Sequence, residues 1–410
     1  MVAASPTIAY LAPALTALES TFVYDELLGL EARGFRVVPV SVHRPEKLLV
    51  GHDDLLARTH YLYDGGFART LVRALAALPG RRKQHGRALR WLLGDMRDIG
   101  PWRHQAWKLA FQYLAAARLA NVLIENDCCH LHIHFAHVPT QIGMYAAALA
   151  GIPFTVMAHA NDIFERGLLL VRKAERARKF LTISEYNRAY LERCGVSPDK
   201  LAVVRCGVSF PVREALPSCE HRLLCRIGTL GRLVEKKGVD VLIRALALLR
   251  ERGHGLELSI AGDGPLRSGL EALAAELGLG DSVHFEGNIA HARVREWMHD
   301  LDMFVLACKP DANGDMDGIP VVLMEAMSQQ IPVVSTRLSG IPELVIDGET
   351  GLLAAAGNPA DLADKIERLL AVPALGQSLA MRGATHVRAE FGQQVNLDRL
   401  LVYMGFATRR

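Results

Sequence analysis

Two segments of the chain carry residue types suited to gripping a doubly charged anion. The first reads Gly228-Thr-Leu-Gly231-Arg232-Leu-Val-Glu-Lys-Lys237-Gly238 and passes from a predicted strand into a predicted helix. Glycine lets backbone amides approach an anion closely, while Arg232 and Lys237 add a planar fork and a point charge. That combination suits a pyrophosphate. The segment is neither a Walker A sequence nor a Gly-x-Gly-x-x-Gly fingerprint, which turns the reading away from ATP hydrolysis and nicotinamide cofactors. The second segment reads Asp317-Gly318-Ile319-Pro320-Val321-Val322-Leu-Met-Glu325-Ala-Met. Pro320 suits the first turn of a helix, and eight residues of helix rise about 12 Å. Carboxylates that far apart do not flank one bond, as a glycosidase pair about 5–9.5 Å apart does. They suit the two ends of an elongated ligand, with Asp317 accepting hydrogen bonds from sugar hydroxyls and Glu325 from a ribose diol. The amides of Ile319, Val321 and Val322 would then face the phosphates between them.

Histidines form the second group. His130, His132 and His134 alternate along one predicted strand directly after Cys128 and Cys129, and His159 ends another strand. The ligand spacing of a structural zinc site is absent, so the expectation is a strand end lining a ligand cleft, with no metal. His159 stands at the carboxyl end of its strand, where the cleft residues of α/β proteins belong.

The elements that must position these residues follow a steady rhythm. Strands are predicted at 7–11, 36–42, 130–135, 154–158, 179–183 and 203–205, with helices over 20–33, 138–150 and 185–194. A stretch at 210–221 containing Pro211, Pro217 and Ser218 reads as a linker. The alternation then restarts with strands at 223–228, 256–261, 283–286, 303–307 and 332–335, and helices over 239–250, 265–277, 294–299 and 321–329. Strand alternating with helix predicts an α/β protein with two doubly wound, Rossmann-like domains facing each other across a cleft. The expected division is an N-terminal domain over 1–210, a C-terminal domain over 211–385, and a C-terminal helix within 386–410 crossing back to the first. A chain of 410 residues has room for two cores.

Composition narrows the class further. Half the residues are hydrophobic and 22% are charged, so the chain is globular rather than disordered. A net charge of +3 gives no support to a nucleic-acid partner. Seven cysteines, an odd number without a Cys-x-x-Cys pair, argue against a disulfide framework and for a reducing, cytoplasmic setting. No signal-peptide pattern precedes the first basic residue, Arg33. One region departs from the rhythm: 69–108 holds ten basic residues against Asp95 and Asp98, interleaved with Trp91, Trp102 and Trp107. Basic residues with tryptophan suit an anionic membrane surface, which would make the protein peripheral on the inner face of the membrane.

Taken together, GRLVEKKG, LSIAGDGPL, DGIPVVLMEAM and PVVSTRLSGIPELVIDGETGLL resemble the retaining glycosyltransferases of family 4, which have the GT-B fold. HIHFAHVP, FTVMAHANDIF and LTISEYNRAYL match the same family in the first half. The resemblance implies that the C-terminal domain holds a nucleoside-diphosphate sugar and the N-terminal domain presents a saccharide or lipid-linked saccharide acceptor. On matching positions, Gly231, Arg232, Lys237 and Gly262 belong to the donor site together with Asp317, Gly318, Ile319, Val321, Val322 and Glu325. His159 would attend the donor sugar. Asp317 stands where the family usually has glutamate, one methylene longer. The loop Ala14–Phe22 lacks the family's double glycine and is similar to the variant found in exopolysaccharide assembly, placing Ser20, Thr21 and His134 on the acceptor side. Ser20 or Thr21 would cap the following helix, and the loop 309–316 would order over the donor as a lid. The implied activity is metal-free retaining hexosyl transfer. The alternatives are a GT-B epimerase acting on the sugar nucleotide alone and a non-catalytic nucleotide-sugar-binding protein.

Overall fold

The computed structural model describes residues 5–15, 21–45, 53–63, 82–165, 167–208 and 225–406. Ser20, the linker at 210–221 and the start of the basic region, 69–81, lie outside them. The described chain forms two compact units. One is drawn from Met1–Ile183, Asn187–Gly207 and Gln393–Arg410, the other from Ser184–Tyr186 and Val208–Gly392.

The first unit is built on seven strands: β1 (Thr7–Ala12), β2 (Arg36–Ser41), β3 (His60–Tyr61), β4 (His130–His134), β5 (Phe154–Ala158), β6 (Lys179–Thr182) and β7 (Leu201–Val203). Their order is β3-β2-β1-β4-β5-β6-β7, with every pairing parallel. Parallel strands are covered on both faces, which is why TIAYLA and FTVMA are buried at every position. The helix Val138–Ala150 is apolar on nearly all sides and lies against β4, where a Cβ on Gly143 would come within 2.5 Å of Ile133 Cδ1. Gly151, in the left-handed region at φ 78°, ends it.

Six strands make the second unit: β8 (Cys225–Leu230), β9 (Leu256–Ala261), β10 (Val283–Gly287), β11 (Met303–Val305), β12 (Val333–Thr336) and β13 (Leu352–Ala354). Their order is β10-β9-β8-β11-β12-β13, again all parallel. Several boundaries differ from those read in the sequence. The last strand of the first unit is Leu201–Val203 rather than 203–205, and β8 runs two residues later than expected. Pro320 is the cap residue before the helix Val321–Ser328, not part of its first turn.

Where it is described, the region that broke the rhythm is helical. Arg82–Ile99 and His104–Glu125 bury Ala88, Leu92, Leu109 and Tyr113 in the first unit's core. Trp91 lies beneath the Arg176 guanidinium, 4.7 Å from the ring centroid. Trp102 and Trp107 instead face solvent, at 92% and 61% exposure, as do Leu89 and Leu93. Among the described residues no helix is long and apolar enough to cross a membrane.

Candidate functional site

In open α/β sheets the strand order reverses beside the first strand, and ligands bind beyond the carboxyl ends of the strands at that switch point. Here the switch points fall between β1 and β4 in one unit and between β8 and β11 in the other. Each carries a polar cluster.

In the second unit, the loops leaving β8 and β9 are fastened together. The Gly231 N–H donates to Ala261 O at 3.1 Å and the Leu233 N–H to Asp263 O at 3.0 Å. Gly262 has φ 115°, and a Cβ there would enter the contact shell of the Gly231 carbonyl. Only glycine fits. After the short turn Glu235–Lys237, Gly238 takes φ 63° and presses its bare Cα against the Ala307 carbonyl at the exit of β11. This brings the two lysines to the segment that follows β11. Lys237 Nζ lies 2.7 Å from Asp317 Oδ2, and Lys236 Nζ lies 2.8 Å from Asp315 Oδ2 and 3.7 Å from Asp317 Oδ1. The Cys308 thiol donates to Asp317 Oδ2 at 3.4 Å.

Burial would raise the Asp317 carboxyl, but the charges of Lys237 and Lys236 outweigh it and hold the group below its ordinary value. Burial would likewise lower the Lys237 ammonium, and Asp317 reverses that, keeping it above its ordinary value. Burial and the neighbouring carboxylate push the Cys308 thiol well up, so it stays a neutral donor. An ammonium has three N–H donors, and the bond to Asp317 uses one. Asp317 therefore aims Lys237 and keeps it charged. Its oxygens are engaged by Lys237, Lys236 and Cys308, whereas the sequence had turned them toward sugar hydroxyls. Arg232 is exposed at the rim of the same loop.

The remaining donor-side residues lie on the next element. Gly318 and Ile319 are buried ahead of the helix Val321–Ser328, whose first-turn amides belong to the half-buried Val321 and Val322. Glu325 is half-buried one turn further on. The loop expected to act as a lid is tied to the lysine turn. Lys309 N donates to Lys236 O at 3.0 Å, and Asp311 Oδ1 accepts from the N–H groups of Asn313 and Asp315 at 2.8 and 2.9 Å. That fixes Asp315 beneath Lys236.

In the first unit, His159 is buried directly after β5. Its N–H donates to Asp162 Oδ1 at 2.7 Å, and Asp162 also accepts from Ala136 N, so one carboxylate joins the exits of β4 and β5. His159 Nε2 is 3.3 Å from His134 Nδ1, and His134 Nε2 is 3.1 Å from Glu26 Oε1. Burial, reinforced by His134, pushes the His159 imidazole well below its ordinary value. His134 is thus an inner member of a buried chain, deeper than the cleft-lining strand end expected of it. Thr21 opens the helix Thr21–Ala32, and Ser20 lies outside the described residues. Glu26, Asp162 and Lys236 were not singled out in the sequence. Lys236 stood inside the chosen segment, but Glu26 is more than a hundred positions from the histidines it meets.

Two doubly wound parallel sheets, each with a polar cluster at its switch point, are the Rossmann-like sheets of the GT-B fold. The comparisons with known proteins agree. Residues 20–210 match the model described as Glycosyltransferase Family 4, and residues 225–372 match the model for Glycosyl transferases group 1. The chain is 31% identical over 402 residues to the amylovoran biosynthesis glycosyltransferase AmsK of Erwinia amylovora, covering 93% of this chain and 94% of that one. It is 30% identical over 357 residues to the putative colanic acid biosynthesis glycosyltransferase WcaL of Salmonella typhimurium, covering 83% and 84%. The fold matches HepE of Anabaena, solved with UDP-glucose, at a TM-score of 0.70 and 17% identity over 97% of this chain and 98% of that one. The chain belongs to this family of glycosyltransferases.

Proposed function

We propose that the chain transfers a hexose from a nucleoside-diphosphate sugar to a hydroxyl of a saccharide or lipid-linked saccharide. The transfer retains configuration at the anomeric carbon and serves exopolysaccharide or other cell-surface glycan assembly. The family resemblance supports the retention, the AmsK and WcaL relatives support the pathway, and the UDP-glucose bound to HepE supports the donor class. The carrying observation is the lysine pair, pinned by Asp315 and Asp317 on a glycine-built loop ahead of a helix N-terminus. As the sugar departs, negative charge grows on the diphosphate. Lys237, Arg232 and the first-turn amides of Val321 and Val322 are pre-arranged donors for that charge, which lowers the barrier without reorganisation. These cations take the part a divalent ion plays elsewhere, so nucleoside-diphosphate binding persists in chelator. Glu325 holds the ribose, and His159 holds the transferred sugar by hydrogen bonding.

A thermal-shift panel of nucleoside diphosphates and their sugars tests this reading. One nucleotide series should raise the melting temperature, naming the base first and the sugar second. Arg232→Ala, at an exposed position, should leave the ligand-free melting temperature unchanged and lower kcat/KM about 10²–10³-fold. A panel without any stabilising nucleotide, or full turnover in that variant, overturns the assignment.

The exposed Leu89, Leu93, Trp102 and Trp107, set among the exposed Arg87, Arg90, Arg97, Arg103 and Lys108, support a peripheral seat on an anionic bilayer.

A further inference from the structure

The β1/β4 switch point brings together three metal-ligating side chains, Glu26, His132 and His134, whose ligand atoms all lie within 4.8 Å of one another. The histidines are two apart on β4 and so share one face of the sheet. Glu26 comes from the helix Thr21–Ala32. Both imidazoles turn Nε2 toward the same carboxylate oxygen, His134 at 3.1 Å and His132 at 3.5 Å.

His134 and Tyr10 hydrogen-bond Glu26, and it is His132 that departs from a plain hydrogen-bonded network. A spacing of 3.5 Å is too long for a well-formed N–H···O bond, and His132 Nε2 is fully buried without a hydrogen-bond partner. A tetrahedral cation bound at about 2.0–2.1 Å instead sets its ligand atoms about 3.3–3.4 Å apart. The two carboxylate–imidazole spacings bracket that value, and the two imidazole nitrogens lie within 4.8 Å of each other.

The opposite ring edges are held as metal-bound imidazoles usually are. His132 Nδ1 is 2.7 Å from Thr155 Oγ1, and His134 Nδ1 is 3.3 Å from His159 Nε2. Thr155 Oγ1 also lies 2.9 Å from His130 Nε2. One hydroxyl can accept from the His132 Nδ1–H while donating to His130, which leaves the His132 Nε2 lone pair pointing at the cluster. Tyr10 Oη hydrogen-bonds Glu26 and lies 3.4 Å from His134 Nε2. The Glu26 side chain is 14% exposed while the histidines are buried, so the carboxylate marks the way in.

We infer that Glu26, His132 and His134 bind a divalent first-row transition cation of the zinc type in the first unit. Two imidazoles and a carboxylate are the ligand set such ions take when one position stays open. The spacing along the chain hid the site because the third ligand arrives through the fold. Bound there, the cation fixes His134 as the tautomer whose Nδ1–H faces His159. This is separate from the diphosphate chemistry assigned to the second unit, which uses none of these three side chains.

The test uses the untagged full chain, stripped with chelator, dialysed and titrated with Co(II). The expected result is one Co(II) per chain, with visible bands of a nitrogen–oxygen site and displacement by one equivalent of Zn(II). Glu26→Gln and His132→Gln should each weaken Co(II) binding about 100-fold or more, and Thr155→Val about 10–100-fold. All three should keep their circular dichroism and their thermal response to nucleoside diphosphates. No stoichiometric uptake by the wild-type chain, while it still responds to nucleotide, overturns the inference whatever the variants do. So does uptake that survives Glu26→Gln and His132→Gln, or that shows the strong thiolate charge-transfer band expected of the exposed Cys129 or Cys194.

Discussion

At the scale of single residues, the mutual dependence of Lys237 and Asp317 governs what substitution does. Lys237→Ala bears on the fold as well as on turnover, because the side chains are only 17% and 15% exposed and removing the ammonium strands a carboxylate. Lys236 at 3.7 Å compensates in part. Lys237→Ala should therefore lower stability by about 1–3 kcal/mol in urea titration, and the double change Lys237→Ala/Asp317→Asn by less than the sum of the single changes. Strict additivity would show that the pair is not coupled. The pH dependence has a definite sign. The Asp317 carboxyl is depressed, so its contribution is present above the unfolded value of about 3.9 and lost as pH falls through its lower folded value. The Lys237 ammonium is raised, so its contribution holds below about 10.4 and is lost as pH rises through its higher folded value. The melting-temperature gap between wild type and Asp317→Asn should be widest between about pH 5 and 9 and close below about pH 4. An equal gap at pH 3 and pH 7 would contradict the assignment.

At the scale of elements, the legibility of the sequence followed the range of the signal. The loop 228–238 and the segment 317–327 were readable because their chemistry lies within a dozen residues. So was the helix Val138–Ala150, whose apolar run ends on a left-handed glycine. β3 and β13, of two and three residues, are too short to show a period. Glu26, within the helix Thr21–Ala32, carries no short-range signal, and only the sheet order sets it against β4. Gly262 was named from a motif without a reason, and the reason is the Gly231 carbonyl beneath it. Gly262→Ala should cost about 2 kcal/mol or more and weaken nucleotide binding by shifting the Gly231 loop. Gly348→Ala, at φ 77° with nothing within 4 Å, should cost only the conformational penalty of about 1–2 kcal/mol and leave nucleotide binding alone. Equal losses at both positions would remove the loop argument. For the helices Arg82–Ile99 and His104–Glu125, co-sedimentation with anionic vesicles should fall in the pair Leu93→Glu/Trp107→Glu without a change in melting temperature, since both side chains are exposed. Binding that survives this pair, or that never responds to salt, would argue against a membrane seat.

At the scale of the whole molecule, the chain does not finish in the unit where its second sheet lies. The helix Pro373–Phe391 packs with the second unit, and the helix Gln393–Met404 belongs to the first. There it buries Leu397, Leu400, Leu401 and Met404 against Val23, Leu27 and Leu30. Asn396 Oδ1 accepts from Arg205 N at 3.0 Å, and Arg33 donates to Gln394 O at 2.8 Å and Asp398 Oδ1 at 2.7 Å. Gly29 makes the close approach feasible, since a Cβ there would come within 2.5 Å of Leu397 Cδ1. Burying four apolar side chains is worth about 6–12 kcal/mol, comparable with the 5–15 kcal/mol net stability of a domain. Truncation after Gly392 should therefore unfold the first unit: the protein becomes insoluble or protease-sensitive over its N-terminal half while the second unit keeps its response to nucleoside diphosphate. Val402→Asp, at a position 57% exposed on the same helix, should change the melting temperature by no more than a degree or two. A truncated chain that melts at the wild-type temperature would mean that the helix merely covers the first unit, and that β1 to β7 with their own helices close that core without it.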